Sequence, residues 1–151
     1  APAQSAPTEG MGLAMPVRAA NLRADLILKA MIAVASADAG AIEDSEVRLM
    51  QQVYEDQAKR PITPQEIAEA AEATTKDELL AELTAAAPVL DRETKEEIIR
   101  AAYLTLLADG RIAAEERKKL KDIAMALRVP EIHFGAILED LALWLEEQKA
   151  K

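Results

Sequence analysis

Residues 27–38 read ILKAMIAVASAD, and residues 98–109 read IIRAAYLTLLAD. The two stretches align without a gap: Ile27 falls on Ile98, Leu28 on Ile99, Lys29 on Arg100, Ala30 on Ala101 and Asp38 on Asp109. One extra residue, Ala39, then enters the first copy before the match resumes, with Gly40 on Gly110, Ile42 on Ile112 and Glu46 on Glu116. Each copy is an apolar helix, an Asp, a Gly turn, an Ile, and a Glu near the start of the next helix. Self-similarity of this kind marks a duplicated supersecondary unit. Two helix–turn–helix units predict a bundle with approximate twofold symmetry and the two apolar helices at its centre. Their alanines (Ala30, Ala33, Ala37 and Ala101, Ala102, Ala108) would let the helices approach closely.

Outward from the repeat, helix start and stop signals divide the chain into about seven helices. The first runs from about Pro16 to Ala37, and the second from near Glu43 to about Ala58, before Arg60-Pro61. Thr63-Pro64-Gln65-Glu66 opens the third: Thr caps, Pro suits the first helical position, and Glu reaches back to the cap's N–H. Thr75-Lys76-Asp77-Glu78 repeats this device for a fourth. Asp91 caps a fifth ending at Asp109-Gly110, a sixth covers about Ala114 to Leu127, and Pro130 starts a seventh. No strand pattern occurs, so the fold class is all-α. Residues 1–15, rich in Ala, Pro, Ser and Gly, read as a flexible tail or linker, and residues 16–151 as one helical domain.

Composition agrees with one domain. The chain has 151 residues, half of them apolar, with few aromatics, no Cys, and a net charge of −9 from 18 basic and 27 acidic residues. An acidic chain is a poor general binder of nucleic acid or anionic membrane, because both need a cationic surface. Lack of Cys removes disulfides, thiolate catalysis and sulfur-ligated zinc. No apolar stretch is long enough to span a bilayer, so direct membrane insertion is not expected. The first residue is Ala rather than Met, which reads as a processed or trimmed chain.

The duplicated Asp-Gly turn carries the most specific chemistry. In the second copy Asp109, Gly110, Ile112 and Glu116 take the spacing of the back half of a calcium-binding EF loop. The front half is missing, since its first and third positions would be Thr105 and Leu107, so an EF-hand is excluded. Two roles stay open. Asp-Gly is an ordinary helix stop, and a Glu early in a helix is an ordinary cap. Alternatively Asp38, Glu46, Asp109 and Glu116 ligate a divalent cation, as one four-carboxylate cluster if both turns share an end of the bundle, or as two half-sites if they do not.

Other features read more plainly. His133 is expected to face solvent in the first turn of the last helix. The run Arg117-Lys118-Lys119-Leu120-Lys121, flanked by acidic residues, reads as a solvated face. Trp144 joins the Leu138, Leu141, Leu145 stripe as packing, or marks a docking edge if partly exposed. No phosphate loop, metal-protease helix or nucleophile elbow is present.

The text ASADAGAIEDSE in the first half and LLADGRIAAEERKKLKDIAMAL in the second resembles the tellurite-resistance TerB-like family, over about Leu26 to Asp140. The resemblance implies a seven-helix pseudo-symmetric bundle of bacterial stress-response type. It also implies a cytoplasmic place, at or near the inner-membrane face, among protein partners that include membrane-associated ones. The acidic residues suspected of binding metal in that family correspond here to Asp38, Glu46, Asp109 and Glu116.

The expectation is therefore a non-enzymatic protein-interaction module with a divalent-cation site. A structural or oligomerising module of a larger, membrane-anchored protein is the main alternative. A carboxylate-dependent enzyme would need an enclosed pocket that nothing in the sequence encodes.

Overall fold

The computed structural model describes residues 22–35, 42–108 and 114–150. Among them are seven α-helices and no strand. α1 covers residues 22–35. It is followed by α2 (Asp44–Ala58), α3 (Pro64–Ala73), α4 (Lys76–Ala86), a single 3-10 turn (Ala87–Val89), α5 (Arg92–Leu107), α6 (Ala114–Ala126) and α7 (Glu131–Ala150). No helix among the described residues is long and apolar enough to cross a membrane. The tail at 1–15, the first turns expected of the first helix from Pro16, and both Asp-Gly turns lie outside the described residues.

Local chemistry sets the helix starts. Thr63 Oγ1 accepts the Glu66 N–H at 3.1 Å while Glu66 Oε1 accepts the Thr63 N–H at 2.9 Å. Thr75 and Glu78 do the same at 3.1 and 3.0 Å. Each pair satisfies two backbone donors that the helix itself leaves orphaned. Asp91 Oδ1 takes the Thr94 N–H at 2.8 Å at the start of α5.

α6 stops differently. Arg128 adopts the left-handed conformation, φ 61°, where glycine is usual. The N–H of Val129 then donates to the Ala124 carbonyl at 3.0 Å, and that of Arg128 to Met125 at 2.9 Å. Pro130 follows, cannot continue the helix, and α7 begins in a new direction.

α1 is mostly buried. Nine of its fourteen residues are buried: Ala24, Leu26, Ile27, Leu28, Ala30, Met31, Ile32, Val34 and Ala35. A helix apolar on nearly every side must be surrounded, and polar contacts show by what. Arg23 Nη2 lies 3.9 Å from Glu93 at the start of α5. Lys29 Nζ meets Glu82 of α4 at 3.0 Å, and Lys119 of α6 donates to the Ala33 carbonyl at 3.1 Å. Elsewhere α6 packs on α4 and α5, α7 on α5, and α2 on α3 and α5.

The two copies of the repeat are buried in step but for Ile32, which is buried where Tyr103 is half-buried. Ile27, Leu28, Ala30, Met31, Val34 and Ala35 are buried, and so are their counterparts Ile98, Ile99, Ala101, Ala102, Thr105 and Leu106. Lys29 and Arg100 are half-buried together, as are Ala33 and Leu104. The agreement continues downstream, where Glu46, Met50 and Tyr54 match Glu116, Leu120 and Ala124, all buried.

Candidate functional site

Of the four acidic residues singled out in the sequence, Glu46 and Glu116 fall within the described residues, whereas Asp38 and Asp109 do not. Glu46 and Glu116 occupy the third position of α2 and of α6. At 2% and 3% exposure they are the two buried carboxylates among the described residues. Glu46 acts as a helix cap, because its Oε1 accepts the Glu43 N–H at 2.8 Å and closes the first turn of α2. Among the described residues no three His, Cys, Asp or Glu side chains converge as a metal-holding group. Thr105, buried in α5, donates its hydroxyl to the Ala101 carbonyl at 2.8 Å.

His133 corrects the sequence expectation. It is half-buried and paired rather than free in solvent. Its Nε2 lies 2.9 Å from Glu96 Oε2, with the ring about a quarter exposed. Its Nδ1 lies 3.4 Å from Arg92 Nη2. Glu96 also takes Arg92 Nε at 3.2 Å and Arg100 at 3.7 Å, so one carboxylate ties α7 to α5. Nothing local in the sequence announces this pair, because its members lie 37 positions apart.

The basic run of α6 also divides. Lys118 pairs with Asp122 at 3.3 Å and Lys121 with Glu131 at 3.1 Å, as a solvated face would. Lys119 instead turns inward to the Ala33 carbonyl, near the end of α1 where the helix dipole is negative. Burial, and then the nearby Lys76 ammonium, hold its pKa below the ordinary lysine value.

An apolar opening with a volume of about 380 Å³ lies between α2, α5 and α7. Val53, Ala101, Leu104 and Leu141 form its apolar lining, and Trp144 stands over it about half exposed. Glu97, Arg100 and Asp140 rim it. Arg100 is engaged by Glu97 at 3.1 Å, so the rim charge left over belongs to Asp140. Leu143 on the same helix is 59% exposed. The exposed side of α7 here is acidic, carrying Glu139, Asp140, Glu146 and Glu147 against Lys149.

No protein-family model, no curated protein and no solved structure matches this chain.

Proposed function

We propose that this protein is a non-enzymatic interaction module that receives a basic, amphipathic helix of a partner protein in the groove beside Trp144. The half-exposed Trp144 over that groove carries the reading. Aromatic side chains at a partly open apolar site are typical anchors of protein interfaces. The acidic side of α7 supplies charge complementarity for lysines and arginines flanking the partner's apolar stripe. An apolar helix face laid in a groove is a common recognition mode.

The pseudo-twofold architecture belongs to the same proposal. The matched burial of the two copies supports it, as does the pairing of Arg23 with Glu93 at nearly equivalent places. A divalent-cation site of Asp38, Glu46, Asp109 and Glu116 is part of this reading. So is the setting that the TerB-like resemblance implies, a tellurite- or stress-resistance assembly at the cytoplasmic face of a bacterial membrane. One observation favours the alternative of a structural or oligomerising role for the repeats: Glu46 already serves as a helix cap.

Trp144 is the one tryptophan of the chain and reports on the groove directly. A synthetic Leu/Lys peptide with apolar residues at helical spacing should shift its emission to the blue and bind in calorimetry. Trp144→Ala should abolish that binding, and a Leu/Glu peptide should fail. Equal binding of both peptides, or unaffected binding by Trp144→Ala, sinks the groove reading. For the cation, titration with Ca²⁺, Mg²⁺, Mn²⁺ and Zn²⁺ should give heat that Asp109→Asn and Glu116→Gln remove. No heat at millimolar metal refutes that part.

A further inference from the structure

The chain is acidic, but the recess where the start of α5 meets the turn between α6 and α7 has the opposite sign. It has a volume of about 400 Å³, and Arg92, Lys95 and Arg128 line it. One carboxylate, Glu96, shares the wall, and it is already surrounded by Arg92, Arg100 and His133. Lys95 and Arg128 make no ion pair among the described residues. His133 is held against Glu96 at 2.9 Å and lies 3.4 Å from Arg92. Lys95 and Arg128 are thus without a carboxylate partner among the described residues, and Arg92 is shared with Glu96.

Guanidinium groups present forked N–H pairs that match the oxygens of a phosphate, and an ammonium adds a point charge. Val129 and Pro130 give the same recess an apolar wall. Its volume lies at the small end of ligand sites. The lysine-lined recess between α1, α3, α4 and α6 differs. It is smaller, about 230 Å³, and its ammonium groups are engaged: Lys29 by Glu82, Lys76 by Asp122, and Lys119 by the Ala33 carbonyl.

We propose that the recess between α5 and the α6–α7 turn binds a small phosphorylated molecule, with its phosphate held by Arg92, Lys95 and Arg128 and its organic part against Val129 and Pro130. The site is independent of the groove beside Trp144, so either proposal can fail without the other.

Arg128 allows a clean test. At φ 61° a glycine is at least as comfortable as an arginine, so Arg128→Gly removes the guanidinium without harming the turn. Lys95→Gln is the second variant. The full chain is titrated with phenyl phosphate and with inorganic phosphate at physiological ionic strength, by calorimetry and by amide chemical shifts. Saturable phenyl phosphate binding is expected, with shifts centred on the amides near Arg92–Glu96 and Arg128–His133 and weaker binding of inorganic phosphate. Arg128→Gly should weaken the affinity about tenfold, the equivalent of one lost charge-assisted hydrogen bond. Lys95→Gln should weaken it in the same sense. No saturable binding, shifts centred on Lys119, or unchanged affinity in Arg128→Gly overturns the proposal. So does binding to vesicles containing phosphatidic acid without any response to phenyl phosphate.

Discussion

Glu46 and Glu116, 70 residues apart in the chain, occupy the same third position of α2 and α6 and are buried to within one per cent of each other. Burying a carboxylate is unfavourable unless something holds it. For Glu46 that includes the Glu43 N–H at 2.8 Å. Capping and cation ligation make different demands on the side chain. Glu46→Gln keeps an oxygen that accepts the same N–H, whereas Glu46→Ala does not. If capping is the main role, Glu46→Ala lowers unfolding free energy by about 1–2 kcal/mol and Glu46→Gln by clearly less. Urea titration of the metal-free protein checks this, and equal losses in the two variants would count against the cap.

The duplicated core offers a second test. Ile27 and Ile98 align in the two copies and are 1% and 0% exposed. Truncating a buried isoleucine to alanine removes transfer free energy and leaves a cavity, at a cost of about 2–5 kcal/mol. Ile27→Ala and Ile98→Ala should each fall in this range and agree within about 1 kcal/mol, because both are fully buried. Thermal or urea unfolding of the single variants decides. A small loss at one site and a large one at the other would show that the copies do not play equivalent roles in the core.

The fold was more legible than the site. Helix starts were readable because the reasons are local: Thr63 with Glu66, Thr75 with Glu78, and Asp91 with Thr94 lie three residues apart. The burial of Ile27, Ile98 and their apolar neighbours agrees with the apolar text of the two repeat helices. Long-range pairing was not legible. His133 reads as a surface residue until α7 folds back on α5 and sets it against Glu96. Lys119 sits in a run of solvated lysines, and only packing against α1 turns it inward. The Trp144 groove needs three helices, so no local pattern encodes it.

Acid should weaken the protein in a defined sense. The Glu66 and Glu78 carboxyls are held below the usual glutamate range, chiefly by backbone hydrogen bonds at Thr63 and Thr75. Asp91 is lowered by its hydrogen bonds with Thr94. A carboxyl whose folded pKa lies below its unfolded one contributes stability above the unfolded value, and loses it as pH falls through the folded value. The urea midpoint should therefore decline from about pH 5 downward. In the double variant Glu66→Gln/Glu78→Gln, whose amide oxygens can still accept the Thr63 and Thr75 N–H groups but do not titrate, the acid dependence should be shallower. An acid dependence as steep as that of the unaltered chain would place its origin in other carboxyls.

Gly135 should be replaceable with profit to stability. It lies inside α7, exposed, and a Cβ built on it meets nothing within 4 Å. Its backbone is helical, so no left-handed conformation requires glycine there. A mid-helix glycine loses more backbone entropy on folding than alanine does, by about 0.5–1 kcal/mol. Gly135→Ala should raise unfolding free energy by that amount with little change in the denaturant slope, since the surface exposed on unfolding hardly changes. The same substitution leaves the α5–α7 contacts through Glu96 and His133 in place. A gain confined to far-ultraviolet helicity, with the urea midpoint unmoved, would mean that α7 unfolds apart from the rest of the bundle.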